Sequence, residues 1–96
     1  MVKHIVMWTL KEENKEENVK EMKKRLEALK DKIDFLRFIE VGINFNDTEA
    51  AYDIVLVTDF DTKDDLNAYQ VHPDHKEVGV FVRSVVEKRA VVDYEY

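Results

Sequence analysis

At 96 residues, 45% apolar and 38% charged, the chain has the size and balance of one soluble globular domain spanning 1–96, not of a disordered segment. A net charge of −6 argues against nucleic acid as partner, which needs a clustered basic face, and no apolar run approaches the roughly 20 residues of a membrane span. Cysteine is absent, which excludes disulfides, thiolate chemistry and cysteine-ligated zinc; with no signal-peptide pattern before the first strand, the default expectation is a cytoplasmic location.

Val2 to Leu10 predicts a first strand, with Ile5 and Met7 on one face and His4, Val6 and Trp8 on the other. Lys11 to Glu13 is a charged connection, and Asn14 followed by Glu17 predicts a capping-box helix start. Val19, Met22, Leu26, Leu29 and Ile33 recur at helical spacing and form one buried stripe, while the intervening Lys and Glu make a solvated face. Leu36 to Asn46 reads as a second strand with Ile39, Val41, Ile43 and Phe45 on one side, and Gly42 opposite them marks a bulge or a close approach. Asn46-Asp47-Thr48 is turn material, and Tyr52 to Phe60 is a third strand, apolar on both faces.

Thr62, with Asp65 three residues on, predicts the cap of a short helix ending at Val71. The chain's only proline, Pro73, starts a second piece running to about Val86, so the two helices meet in a corner at His72. Val78, Phe81, Val82 and Val85 are its expected buried face, and Gly79 in its interior, which costs helix stability, either leaves room for a closely packed group or is tolerated drift. Glu87 to Glu95 is the last strand, with Ala90, Val92 and Tyr94 on one face and Arg89, Val91 and Asp93 on the other.

The order β-α-β-β-α-β predicts an α+β, ferredoxin-like subunit: four antiparallel strands with the helices on one face. An uncovered sheet face normally alternates to polar, yet here Ile5, Met7, Ala90, Val92 and Tyr94 would form an exposed apolar patch. A second copy packed sheet to sheet covers it, so the expected assembly is an obligate homodimer.

Four polar residues lie where apolar ones would pack better: His4 and Asp93 on the helix-facing side of the sheet, and Tyr69 and His75 on either side of the corner. A histidine held by a carboxylate can act as general base or acid, and a tyrosine hydroxyl can hold an enolate oxygen. Together they suit proton transfer next to a carbonyl. Each also has a plain structural reading: His4 as a core histidine, Tyr69 as a buried ring, His72 as the cap before Pro73, and Asp93 as the ion-pair partner of Arg89 or Lys88. His72 and His75 have metal-ligand spacing but no compelling third ligand, so no metal is expected.

Val2-Lys3-His4-Ile5-Val6, Tyr69-Gln70-Val71-His72-Pro73-Asp74-His75, Val82-Arg83-Ser84 and Val92-Asp93-Tyr94 resemble the stress-responsive dimeric α/β-barrel (Dabb) family from end to end. The resemblance implies a ferredoxin-like subunit that pairs through its sheet into a barrel. It also implies likeness to the family's plant polyketide cyclase, which closes a linear tetraketide to olivetolic acid by an aldol reaction without a cofactor. On that likeness His75 would be the base, oriented by Asp93, with Tyr69 holding the oxyanion. His4, His72, Arg89, Trp8 and Phe81 would contact substrate. Arg89 and Gln70 depart from an apolar pocket, and Leu26 replaces an aromatic wall, which points to a smaller, anionic substrate with Arg89 as its clamp. The resulting expectation is a homodimer binding a small carbonyl compound and catalysing cofactor-free proton transfer or cyclisation. The alternatives are a non-catalytic stress-response or ligand-binding protein and a cofactor-free monooxygenase-like enzyme.

Overall fold

A computed structural model describes all residues, Met1–Tyr96. The elements run β1 (Val2–Leu10), α1 (Lys15–Glu27), a 3₁₀ turn (Ala28–Asp31), β2 (Phe38–Ile43), β3 (Ile54–Phe60), α2 (Lys63–Val71), α3 (Pro73–Val85) and β4 (Val86–Glu95). The strands form one antiparallel sheet in the order β2-β3-β1-β4, the ferredoxin-like arrangement expected, with the second helical region split in two at the corner.

The apolar stripe of α1 continues through the 3₁₀ turn: Val19, Met22, Leu26, Leu29 and Ile33 are all buried, against Val6, Trp8, Leu56 and Phe60 of the sheet. Truncating one such leucine costs about 2–5 kcal/mol, a large share of what a domain this size holds in reserve. Thr62 caps α2 as expected, its hydroxyl accepting from the Asp65 N–H at 3.1 Å. His72 adopts an extended backbone (φ −62°, ψ 136°) between the helices, and its Nδ1 accepts from the Asp74 N–H at 3.1 Å. The corner is therefore fixed by proline geometry and a histidine cap together.

Two local expectations fail. Asn14 precedes α1 but does not cap it with its side chain, because its backbone is left-handed (φ 55°, ψ 29°) where side-chain capping needs an extended residue. The strand expected to reach Asn46 ends at Ile43, its last pairing being with Ile54, so Phe45 is 100% exposed instead of continuing the buried face. Gly42 carries no bulge and marks a close approach: a Cβ there would lie 3.2 Å from Val55 Cγ1.

The sheet has two dissimilar faces. The helix-covered side buries the core. On the other side Ile5 pairs with Val57 and Val92, and Met7 with Val55 and Ala90. Nothing in the chain covers that surface, and Val92 (58%) and Tyr94 (45%) are conspicuously exposed.

Candidate functional site

The site is organised by the pairing of β1 with β4, which sets His4 opposite Asp93 and Trp8 opposite Arg89 on the helix-facing side. Both β4 residues thus turn inward at the sheet's edge. Between these strands and helices α1 and α3 lies a cavity of about 290 Å³. Apolar side chains such as Val6, Trp8 and Val82 make most of its wall, and its polar groups are His4, His75, Arg83 and Arg89.

His4 is buried, and its Nδ1 bonds Asp93 Oδ1 at 2.5 Å. A carboxylate at that nitrogen fixes the ring's orientation and, in the neutral ring, selects the Nδ1–H tautomer, leaving Nε2 as the acceptor. The expectation that Asp93 orients His75 is therefore overturned, and so is its pairing with Arg89 or Lys88. The partner directly across the ladder takes the short carboxylate first. Asp93 itself borders a second cavity, of about 340 Å³, toward Lys63, Leu66 and Asn67 of α2.

His75 lines the first cavity from the opening turns of α3. Burial pushes its imidazole below the ordinary value of 6.5; the backbone of Gln70 opposes this, and the neighbouring His4, Arg83 and Arg89 add to it. It is held neutral near pH 7, and its Nδ1 is buried without a hydrogen-bond partner. Tyr69 packs behind it, ring centroids 4.4 Å apart, with Phe60 on its other side at 5.0 Å. The tyrosine is fully buried and does not line the cavity, its hydroxyl also lacks a partner, and burial raises its pKa strongly. An unsatisfied buried polar atom costs about 1–3 kcal/mol, so two side by side are a notable concession by the fold.

The remaining expected contacts divide. Trp8 and Arg89 line the cavity. His72 does not; it caps α3 and lies near Phe35, 6.4 Å between ring centroids. Phe81 also faces away from it, under the Arg25 guanidinium at 4.1 Å. Sequence reasoning missed Arg83. Its Nη1 would lie 3.0 Å from a Cβ at Gly79, one helical turn earlier, so the absent side chain of Gly79 is what lets the guanidinium lie against the helix there. The signal was the Gly79–Arg83 spacing of one turn on the face turned toward β4.

Comparison with known proteins places the chain in a family. The sequence model described as the stress responsive A/B barrel domain (Dabb) matches residues 2–96. The structure is similar to a dimeric protein of unknown function with a ferredoxin-like fold from Bacteroides fragilis, at 40% identity and TM-score 0.91, covering 99% of this chain and 95% of that one. It is similar also to a dimeric ferredoxin-like protein of unknown function from Thermobifida fusca (24% identity, TM-score 0.88, 99% and 90% covered). A hydroxynitrile lyase from Passiflora edulis shares the fold (16% identity, TM-score 0.85, 97% and 90% covered). No curated protein matches the sequence. No helix is long and apolar enough to cross a membrane.

Proposed function

We propose a function from one premise: the chain belongs to the stress-responsive A/B barrel (Dabb) family. It acts as a homodimer joined through the uncovered sheet face, each subunit binding a small carbonyl compound in the cavity between sheet and helices. There it catalyses cofactor-free proton transfer. Solved structures similar to it are described as dimeric, and the exposed Val92 and Tyr94 need a cover of matching shape and chemistry.

One observation carries the chemical reading: Tyr69 Oη and His75 Nδ1 are both buried and unpartnered beside the cavity. A packed core satisfies such groups; a site leaves them for a ligand. In the reaction, neutral His75 accepts the proton from a carbon next to the ligand's carbonyl. The C–H electron pair becomes the enolate, and the Tyr69 hydroxyl donates to the enolate oxygen. Burial disfavours ionisation of the phenol, which keeps it a donor. The enolate then either recovers that proton from the His75 imidazolium or attacks a second carbonyl carbon. In the second case a C–C bond forms, the attacked C=O π pair moves to its oxygen, and that oxygen takes the proton from His75. His4, held by Asp93, orients the ligand from the opposite wall.

A rival reading, ligand binding without chemistry, is favoured by the full burial of Tyr69 behind the cavity wall. Exchange of carbon-bound protons for deuterium in small β-keto compounds, followed by NMR, separates the two. The wild type is expected to accelerate exchange, and His75→Ala to lose about a hundredfold or more of it. Tyr69→Phe is expected to lose activity while folding as stably as the wild type or more so, since it removes an unsatisfied buried hydroxyl. A wild type that exchanges no faster than buffer would leave only the binding reading standing.

A further inference from the structure

The cavity's charge is at odds with the chain that builds it. The protein carries 21 acidic against 15 basic residues, yet none of the 12 residues lining this cavity is acidic. Four are basic or imidazole side chains: His4, His75, Arg83 and Arg89. The chain's other two arginines are both paired, Arg25 with Glu21 at 2.7 Å and Arg37 with Asp61 at 2.9 Å. Among the four arginines only Arg83 and Arg89 make no ion pair, and both border the cavity, from α3 and from β4.

Packing holds one of the two in position. Arg83 Nη1 lies where a side chain at residue 79 would crowd it, 3.0 Å from the Cβ position, while the backbone of Gly79 lies outside the left-handed region and has no need of glycine on its own account. Gly79 is thus a positioning residue for Arg83. Two guanidinium groups without carboxylates, reaching an apolar cavity from facing elements, form a receptor for a planar anion. At about 290 Å³ the space is at the lower end of what ligand pockets occupy, about 300–1,000 Å³, which fits a small molecule with one charged end.

We propose that the ligand of this cavity carries a carboxylate, bound by Arg83 and Arg89 together, with its uncharged end directed toward His4 and His75. The inference deepens the carbonyl reading above and rests on it only for the uncharged end, making the natural ligand a small keto acid in place of a neutral ketone or a long-tailed polyketide.

Three probes separate the parts: acetoacetate, its methyl ester, and butyrate, titrated by calorimetry and by the NMR shifts of the His75 ring and the arginine Nε–H groups. Acetoacetate is expected to bind at least tenfold more tightly than the ester. Arg83→Gln and Arg89→Gln, both at exposed side chains, are each expected to weaken it about tenfold or more, the scale of a charge-assisted hydrogen bond. Gly79→Ala, which keeps every charge and displaces the Arg83 guanidinium, is expected to weaken it severalfold, and added salt to weaken it further. Acid and ester binding alike, or binding indifferent to both arginine variants, overturns the carboxylate clamp while leaving the carbonyl reading intact. Butyrate binding as well as acetoacetate, with no proton exchange in either keto compound, keeps the clamp and removes the carbonyl reading. Binding by none of the three overturns both.

Discussion

At its β4 edge the sheet departs from the usual rule for a half-covered sheet, whose covered side is elsewhere apolar. Along β4 the residues turned toward the helices include Arg89 and Asp93, while those turned away are Ala90, Val92 and Tyr94. Two charged residues point in on either side of Val91, and three apolar ones point out. Each choice costs stability in an isolated subunit, because apolar area stays wet and polar groups are drawn toward the interior. On the function proposed above, both faces of this edge are completed from outside, the outer one by a second copy and the inner one by a ligand. An apolar outer face asks for area and shape, whereas an inner face of imidazoles and guanidinium groups asks for particular atoms.

The sharpest way to break that contrast is a charge at the centre of the outer face. Ile5 lies between Val57 and Val92 across two ladders and is half-buried in the single subunit. Ile5→Asp is expected to weaken association of the two copies about a hundredfold or more, since it would bury a carboxylate without a partner. Arg89→Gln on the other face should leave association unchanged. Sedimentation velocity across micromolar dilution reads both. A wild type that sediments as a stable folded monomer would remove the reason for an apolar outer face.

What the sequence disclosed and what it withheld divide along the same physical line. The α1 stripe, the Thr62 cap, the Pro73 corner and the two faces of β1 were legible because each follows from a period or from a partner within a few residues. The overreach of β2 to Asn46 came from following apolar alternation, as far as Phe45, past the point where β3 stops pairing. His4 and Asp93 could be placed on one face, but not their bond, which joins residues 89 apart and depends on the register of β1 against β4. Arg83 stayed hidden for the same reason: whether a helix arginine borders a cavity is not readable until the strand facing the helix is known.

Substituting Asp93→Asn sharpens the inner face by testing which histidine the carboxylate serves. The change removes a charge from the bond at His4 Nδ1, and the carboxylate is partly exposed, so a stability loss of about 1 kcal/mol is expected. The ¹⁵N shifts of the His4 ring should report a changed tautomer balance, while the titration midpoint of His75 stays near its wild-type position. The opposite pattern, with His75 displaced and His4 unmoved, would return the aspartate to the role that resemblance to the plant cyclase implied.

The smallest expected effect is the most specific to the inner face. His75 is neutral in the folded protein because burial depresses its pKa, whereas in the unfolded chain it titrates near 6.5. Between those two values the unfolded state binds the extra proton, so stability rises with pH there. The contribution is fully present above about 6.5 and is lost as pH falls through the lower folded value. A modest decline in Tm is therefore expected as pH is lowered below neutrality, and His75→Gln should flatten that segment of the profile. The Ile5→Asp protein should keep the segment, since the outer-face change leaves the cavity and the His4, Arg83 and Arg89 side chains around His75 in place. If both variants flattened it equally, the two faces would share a single stability. If only His75→Gln did, the cavity would be titrating on its own account, as a face built to receive charge from outside should.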